Sequence, residues 1–230
     1  MSQIGARINA DFSSRVVLDT NTMPWVASPL PGVERRMLDR VGDEVARATS
    51  IVRYAAQSRF SEHVHDLGEE FIVLQGVFSD EHGDYPAGSY VRNPPLTRHA
   101  PYSDEGCTIF VKLRQFDQQD LQPVRINLRS AVFDEELAPG VHMLHLHRYR
   151  DEWVRALRFA PGARLPAQAL AGAAGEELLV IDGAISDRHG HYGTGTWQRN
   201  PSKESCERFS DTGALVFVKT GHFSAMMAPE

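Results

Sequence analysis

The sequence predicts an all-β fold built from two tandem copies of one small domain. The first observation is an internal repeat, because residues 69–94 and 176–201 are identical at 13 of 26 positions when they are aligned with an offset of 107. The second is a regular series of short strand-like segments, and the third is the lack of a helical period over three turns. A repeat unit of about a hundred residues is far longer than a solenoid repeat, so each copy is expected to be a domain of its own.

The strand-like segments of the first copy are rich in Val, Ile, Tyr, Phe and Thr, as β-strands usually are. They include residues 46–54, 70–74, 90–92 and 108–113. Clusters of Gly, Pro, Asn, Asp and Ser separate them, for example Asp80–Asp84 and Pro86–Gly88. Many short strands within a hundred residues indicate a sandwich, a jelly roll or a barrel.

The polar segment Asp117–Gln122 lies between the two copies and is interpreted as a linker. We therefore divide the chain into an N-terminal domain, residues 1–118, and a C-terminal domain, residues 119–230. The arm Asp11–Pro31 precedes the first copy and contains Val16, Val17, Leu18 and Trp25. We expect this arm to add an edge strand to its own barrel or to a neighbouring one, which would cover an exposed edge.

Composition excludes several classes of function. The net charge is −6 (24 basic and 30 acidic residues), whereas a nucleic-acid partner requires a basic surface. No run approaches the ~18 consecutive apolar residues of a membrane span, and two cysteines are too few for a disulfide framework. We expect a cytoplasmic protein with a small-molecule partner, no nucleic acid and no membrane; the sequence leaves homodimerisation open.

Histidines and a carboxylate in the first copy predict a metal site. His63 and His65 alternate along a strand and therefore point to the same side. Glu69 opens the next strand after a short turn, and His99 returns from a later strand after a proline turn. Three imidazoles and one carboxylate suit a divalent transition metal such as Zn, Fe, Mn or Ni.

These residues resemble the cupin family. The spacing His63-x-His65-x3-Glu69-x6-Gly76 fits the first cupin motif, and Pro86–Gly88 followed by His99 fits the second. The segments 68–71, 83–90 and 106–112 are similar, more specifically, to the ChrR-type cupin, the C-terminal domain of a zinc-dependent anti-sigma factor that also occurs in stand-alone proteins. The resemblance implies two cupin jelly-roll barrels, a bicupin, with the metal ligands His63, His65, Glu69 and His99 inside the first.

The sequence departs from anti-sigma factors of the ChrR type, which carry a helical zinc domain with a Cys-x-x-Cys motif. The only cysteines here are Cys107 and Cys206, so a sigma-factor partner is not expected. Cys107 lies in a run of apolar residues and is interpreted as a buried, unreactive thiol.

The second copy lacks most of the predicted ligands. Glu176 matches Glu69, but Cys206 stands at the place of His99, and Gln168 and Leu170 stand at the places of His63 and His65. We therefore predict one metal in the first barrel and none, or weak binding, in the second. The sequence His145-Leu146-His147 followed by Glu152 repeats the motif superficially, but it precedes the first strands of its copy. We interpret these two histidines as exposed residues of an outer strand.

Three functions remain open for the metal site. The first is a mononuclear metal-dependent dioxygenase acting on a small diketone-like or enolic substrate, as some stand-alone cupins are. The second is a regulatory or sensor module without catalysis, linked to oxidative stress as in ChrR, and the third is a ligand-binding barrel in which the metal is structural. The sequence names no catalytic residue. The side chains expected to shape the pocket are Phe71, Tyr90, Phe110 and Arg92.

Overall fold

The structure is a computed structural model that describes residues 7–43, 45–170, 175–201 and 206–223. The all-β prediction is confirmed, since the described residues form strands and two short 3-10 turns, Thr20–Thr22 and Ala167–Leu170. The strands up to residue 130 are β1 (Arg7–Ile8), β2 (Val16–Asp19), β3 (Val26–Ala27), β4 (Val33–Val41), β5 (Arg47–Tyr54), β6 (Ser58–Arg59), β7 (His63–Val64), β8 (Glu69–Asp80), β9 (Gly83–Pro86), β10 (Ser89–Asn93), β11 (Arg98–His99), β12 (Tyr102–Ser103), β13 (Cys107–Leu113) and β14 (Val124–Asn127). The later strands are β15 (Glu135–Ala138), β16 (Val141–Tyr149), β17 (Glu152–Phe159), β18 (Ala163–Leu165), β19 (Glu176–Asp187), β20 (Gly190–Gly193), β21 (Thr196–Asn200), β22 (Arg208–Ser210) and β23 (Ala214–Thr220).

Two compact units divide the chain. The first barrel comprises residues 1–10 and 23–130, and the second barrel comprises residues 11–22 and 131–230. This division differs from the one at 118/119, because residues 119–130 belong to the first barrel and residues 11–22 to the second.

Equivalent strands follow the same order in the main sheets of the two barrels. The first has the order β1-β4-β5-β13-β8-β10-β14, and the second has β15-β16-β17-β23-β19-β21-β2. Strand β14, which opens the second sequence repeat, therefore completes the sheet of the first barrel beside β10. Strand β2, which opens the first repeat, completes the second barrel beside β21. The N-terminal arm thus supplies an edge strand, and the two repeats exchange their leading strands.

A β-bulge at Leu74, followed by the positive φ of Gly76, bends the long strand β8 into two sheets. Its first part pairs with β10 and β13, and its last part pairs with β9 and β12. Gly76 has a φ of +73°, and a Cβ at this position would lie 2.1 Å from the carbonyl oxygen of Gly106. Gly183 repeats this geometry in β19, with a φ of +72° and the oxygen of Gly213 at 2.1 Å. Both repeats therefore require glycine here, since another side chain would strain the backbone and push the strands apart.

Apolar side chains that alternate along the strands form the interior of each barrel. In the first barrel this core contains Val33, Val52, Phe71, Val73, Phe78, Tyr85, Val91, Cys107, Ile109 and Val111. In the second barrel it contains Val141, Met143, Leu157, Phe159, Ala163, Leu165, Leu170, Leu178, Val180, Ile185, Tyr192, Ala214, Val216 and Val218. Burial raises the pKa of the Cys107 thiol to about 11, so this thiol is protonated at neutral pH, which agrees with its interpretation as an unreactive residue.

Candidate metal centre

Two short strands and the start of a long one carry the predicted ligands. Strands β7 and β11 form a two-stranded antiparallel ribbon in which His63 lies directly opposite His99. Side chains that face each other across such a pair have Cβ atoms about 5 Å apart, so the two imidazoles meet. His65 follows β7, and Glu69 is the first residue of β8.

The four side chains converge at one end of the first barrel. The three histidines each offer a ring nitrogen within 4.8 Å of the others, and no other such group of three ligands is found among the described residues. The Nε2 atoms of His65 and His99 are 3.2 Å apart. A carboxylate oxygen of Glu69 lies 3.4 Å from Nε2 of His65 and 3.7 Å from Nε2 of His99. His65 and His99 are buried, whereas His63 is exposed on the open side.

Oxygen atoms accept hydrogen bonds from the other nitrogen, Nδ1, of all three rings. For His63 the acceptor is the carbonyl oxygen of Ser61 at 3.3 Å. For His99 it is the carboxylate of Asp80 at 3.1 Å. For His65 it is the Thr97 hydroxyl at 3.1 Å, which donates its own proton to the carbonyl of Pro94. These acceptors favour a proton on Nδ1, so that Nε2 keeps the lone pair that a metal needs, and Nε2 of His65 and Nε2 of His99 face each other and Glu69.

Burial and charge act in opposite directions on the two buried imidazoles. Burial lowers the pKa of His65, and the neighbouring imidazoles lower it further, although Glu69 opposes this. Burial also lowers the pKa of His99, but the hydrogen bond to Asp80 and the charges of Glu69 and Asp80 outweigh it, and the net pKa is raised. A metal-binding imidazole must be neutral at its ligating nitrogen. The carboxylates stabilise positive charge at the centre, whether a proton or a cation carries it.

Glu69, rather than its neighbour Glu70, faces the histidines. Asn93 donates from its amide to Glu69 at 3.2 Å, and Arg125 in turn donates to the Asn93 side-chain oxygen at 2.7 Å. Glu70 points to the other face of the sheet, where it accepts a hydrogen bond from the Tyr90 hydroxyl at 2.8 Å. Strand β14 therefore takes part in positioning Glu69, because Arg125 belongs to that strand.

A cavity of about 530 Å³ opens onto the histidines. Its walls are mainly apolar, and the polar groups cluster at the metal site and the rim. The lining residues are Leu30, Val33, Val45, Ala46, Tyr54, Phe60, Ser61, Glu62, His63, Val64, His65, Asp66, Gly68, Glu69, Pro101, Leu113 and Arg114. The size is that of a site for a small molecule.

The family model of the ChrR cupin-like domain matches this chain twice, over residues 13–117 and 125–224. The chain belongs to the ChrR cupin-like family. Both barrels are therefore cupins, as the sequence motifs predicted. None of the curated proteins searched matches the chain.

Solved structures share the bicupin fold at low sequence identity. A candidate dioxygenase from Nostoc punctiforme is 16% identical, with a TM-score of 0.71 over 90% of this chain and 82% of that chain. A bacterial pirin from Escherichia coli in complex with nickel(II) is 14% identical, with a TM-score of 0.66 over 90% of this chain and 98% of that chain. A mutant of oxalate decarboxylase from Bacillus subtilis is 12% identical, with a TM-score of 0.58 over 89% of this chain and 76% of that chain. No helix among the described residues is long and apolar enough to cross a membrane.

The cavity of the first cupin barrel is not lined by the side chains proposed from the sequence. Phe71 lies in the barrel core, where its ring packs 4.7 Å from that of Phe78. Tyr90 and Phe110 are both paired with Ile72, and Arg92 is paired with Glu70, so these three side chains lie on the opposite face of the sheet. They are fully buried there, and Arg92 forms ion pairs with Glu70 and Asp120. The expectation that they project inward beside the metal is therefore corrected.

Four residues that position or face the ligands went unrecognised in the sequence: Tyr54, Asp80, Asn93 and Thr97. Asp80 and Asn93 recur in the second copy as Asp187 and Asn200, so the repeat alone does not distinguish them from residues that only shape the turns. Asp80 in fact has two roles, since one carboxylate oxygen accepts from the His82 backbone and the other from His99. Tyr54 can be recognised by comparing the two copies, because the residue at the equivalent position of the second copy is Phe159, which lacks the hydroxyl.

The second cupin barrel has a different set of side chains at the equivalent place. Glu176, the counterpart of Glu69, forms a bidentate ion pair with Arg208. Leu170 occupies the place of His65 and is buried in the barrel core, and Gln168 at the place of His63 is exposed. The 3-10 turn Ala167–Leu170 replaces the ribbon strand β7. Cys206, at the place of His99, is a free, half-buried cysteine.

The second His-x-His motif lies in β16 and is not part of a cluster of three potential metal ligands among the described residues. His145 is exposed, as expected, and its ring contacts Trp153 at 5.7 Å. His147 is buried, which corrects the expectation that both are exposed. A bulge between the two residues changes the alternation, so they do not share one side of the strand as the histidines of the first motif do.

Proposed function

We propose that the first barrel binds one divalent transition metal through His63, His65, His99 and Glu69. The observation that carries this proposal is the orientation of the three imidazoles, whose Nδ1 atoms are each engaged by an oxygen acceptor while their other nitrogens converge. A set of three imidazoles and one carboxylate fits Fe, Mn, Ni or Zn. Residues that only stabilised the fold would not require three rings to be oriented around one carboxylate.

We further propose that the protein is a mononuclear metal-dependent dioxygenase acting on a small enolic or diketone-like substrate. Bound Fe(II) or Mn(II) would supply Lewis-acid polarisation of chelating substrate oxygens and a place for dioxygen. Around it, the apolar walls of the cavity hold the substrate and exclude water. Glu69 is placed to accept the proton that an enol loses when it binds, because Asn93 donates to the same carboxylate and orients it.

The charges that line the cavity favour a monoanionic substrate. A divalent metal and the Glu69 carboxylate together carry one positive charge, which a substrate that enters as the enolate neutralises. When the neutral enol enters and Glu69 takes its proton, the net charge stays at one. Arg114, the arginine in the lining, is already paired with Asp66 at 2.8 Å, and Glu62 adds a further carboxylate at the rim. A dicarboxylate would therefore bring a second negative charge to a lining that offers no unpaired arginine or lysine among its described residues.

Two similar structures agree with this proposal at the level of chemistry. One is a candidate dioxygenase, and the other is a pirin in complex with nickel(II). Proteins of this fold therefore include a candidate dioxygenase and a protein that binds a transition metal. The alternative is a regulatory module without catalysis. It is favoured by membership of the ChrR cupin-like family, and its metal would be structural or a sensor of oxidants.

The deciding experiment combines metal analysis with oxygen uptake. We expect about one Fe, Mn, Ni or Zn per purified chain, and consumption of dioxygen when small diketones are added to the Fe(II) or Mn(II) form. The double variant His63→Ala/His99→Ala should lose the metal, whereas His145→Ala in the second barrel should keep it. Unchanged metal content in the double variant would contradict the ligand assignment. Tightly bound zinc without oxygen uptake would favour the regulatory alternative.

A further inference from the structure

Tyr54 occupies a fixed position in the metal cavity. It ends strand β5, and its side chain lines the cavity together with His63, His65 and Glu69. Two aromatic rings hold it edge-on, with centroid distances of 5.3 Å to Phe60 and 5.7 Å to Phe78. Edge-to-face packing on two sides restricts the ring, so the direction of its hydroxyl group is restricted as well.

The Tyr54 hydroxyl has no hydrogen-bond partner among the described residues of the chain, although it lies in a mostly apolar cavity. Burial and the nearby charge of Glu69 raise its pKa, so it remains a protonated donor at neutral pH. Tyr54 is half-buried, and its hydroxyl belongs to the open cavity, where water can take the place of a protein acceptor. A donor held inside a ligand cavity without a protein acceptor is therefore available to whatever enters the cavity.

The second barrel provides an internal control for this residue. Tyr54 pairs with Val33 and Cys107, and Phe159 pairs with Val141 and Ala214, which are the equivalent positions of the second repeat. Phe159 lies in the core of its barrel. The aromatic ring is thus common to both copies, whereas the hydroxyl occurs only in the copy that has the three histidines. Packing explains the ring but not the hydroxyl.

We propose that Tyr54 is a substrate-binding residue whose hydroxyl donates a hydrogen bond to an oxygen of the chelating substrate. This inference rests on the proposed function, since it assumes that an enolic oxygen ligand enters the cavity. It adds a specific requirement to the substrate class: one of the oxygen atoms directed at the metal centre also faces Tyr54 and accepts its hydrogen bond. An apolar group at that position would leave the hydroxyl unpaired.

The test measures ligand binding rather than turnover. The Fe(II)-loaded protein is titrated under argon with acetylacetone and with tropolone, two oxygen chelators, by calorimetry. We expect Tyr54→Phe to weaken binding about five- to tenfold, the usual effect of one lost hydrogen bond, with unchanged metal content and thermal stability. The control Phe159→Tyr, which adds a hydroxyl at the matched place in the second barrel, should leave the affinity unchanged.

The outcomes separate this inference from the proposed function. Equal affinities of the wild type and Tyr54→Phe, at equal metal content, would overturn the role of Tyr54 while leaving the metal site intact. If the wild type binds the chelators but consumes no oxygen, the dioxygenase proposal is contradicted. The affinities of the wild type and Tyr54→Phe then still decide whether Tyr54 binds the ligand. A wild type that binds neither chelator would overturn both. In an active protein, the KM for diketones should rise by the same factor as the dissociation constant.

Discussion

The two barrels share one scaffold, but the equivalent carboxylates Glu69 and Glu176 face different side chains. In the first barrel Glu69 faces three imidazoles. In the second, Glu176 faces the guanidinium of Arg208, which comes from β22 at the place of Pro101 in the first copy. A buried carboxylate is unfavourable without a compensating positive charge. In the second copy, an arginine therefore compensates the negative charge of the carboxylate. In the first copy, we propose that a metal ion does so.

The second barrel also fills the space that the first leaves open. Leu165 and Leu170 belong to its core, where the first barrel has Phe60 at the wall of the cavity and the buried ligand His65. Arg155 extends along the same side of β17 and donates to the Thr220 hydroxyl at 2.6 Å. At the place equivalent to the histidine cluster, the second barrel thus has apolar packing and an internal ion pair.

The largest expected effect is on the ion pair of the second barrel. Arg208→Met should reduce the free energy of unfolding by about 3 kcal/mol, because it leaves the mostly buried Glu176 carboxylate without its direct partner. Urea unfolding monitored by circular dichroism measures this change. Metal content should remain that of the wild type, since the substituted residue lies outside the first barrel.

Arg164→Met is the matched control for that measurement. Arg164 lies on the neighbouring strand β18, and its ion pair with Glu207 at 2.8 Å is exposed. An exposed pair contributes less than about 1 kcal/mol, so this variant should unfold almost like the wild type. Equal destabilisation by the two substitutions would mean that the Glu176–Arg208 pair has no special role in the second barrel.

Local sequence spacing was sufficient to predict that the three histidines converge, but not which groups hold their rings. His63, His65 and Glu69 lie within seven residues, so strand alternation and one turn determine their direction. The acceptors of the imidazoles come from elsewhere, since Asp80 lies at the far end of β8 and Thr97 follows the proline turn. Such contacts depend on how the bulge at Leu74 and the glycine at position 76 bend the strand, and alternation within one segment does not contain that information.

Local sequence patterns also do not contain the strand register, which is why the pocket residues were predicted incorrectly and the strand exchange was not predicted. Tyr90 and Val91 are both apolar and both buried, so their alternation does not indicate which of them faces the barrel interior. Only the register of Tyr90 with Ile72 assigns the face. The repeat likewise aligns residues 15–18 with 125–128, but sequence similarity does not indicate which barrel each leading strand joins.

A second, smaller effect is expected from the carboxylate behind His99. Asp80→Asn should weaken metal binding 10- to 100-fold, as is usual when the hydrogen-bond acceptor of a metal-binding histidine is lost. The asparagine oxygen can still accept from the His82 backbone, so the turn should be retained. Competition with a chromophoric chelator measures the metal affinity.

The repeat supplies the control for this substitution. Asp187 occupies the same turn of the second barrel and accepts from the His189 backbone at 2.7 Å and from the Tyr192 hydroxyl at 3.0 Å. We expect Asp187→Asn to leave the metal affinity unchanged. A similar loss in both variants would show that the turn, rather than the carboxylate at His99, determines metal binding.

The smallest expected effect tests whether the exchanged strand β14 contributes to the metal centre. Arg125→Met removes the donor to Asn93, which orients Glu69, so the metal dissociation constant should rise about threefold, less than for loss of a direct partner of a ligand. Its counterpart is Arg15, the residue before β2, which donates to the Tyr192 hydroxyl as Arg125 does to the Tyr85 hydroxyl.

Both arginines therefore support an edge strand in the same way, but only Arg125 is connected to the predicted ligands. Arg15→Met should lower stability by about 1 kcal/mol, as Arg125→Met does, without changing the metal affinity. Parallel thermal unfolding and chelator competition separate the two effects. If both variants lowered the affinity equally, the loss would reflect general loosening of the edge strands, and the connection from Arg125 through Asn93 to Glu69 would be rejected.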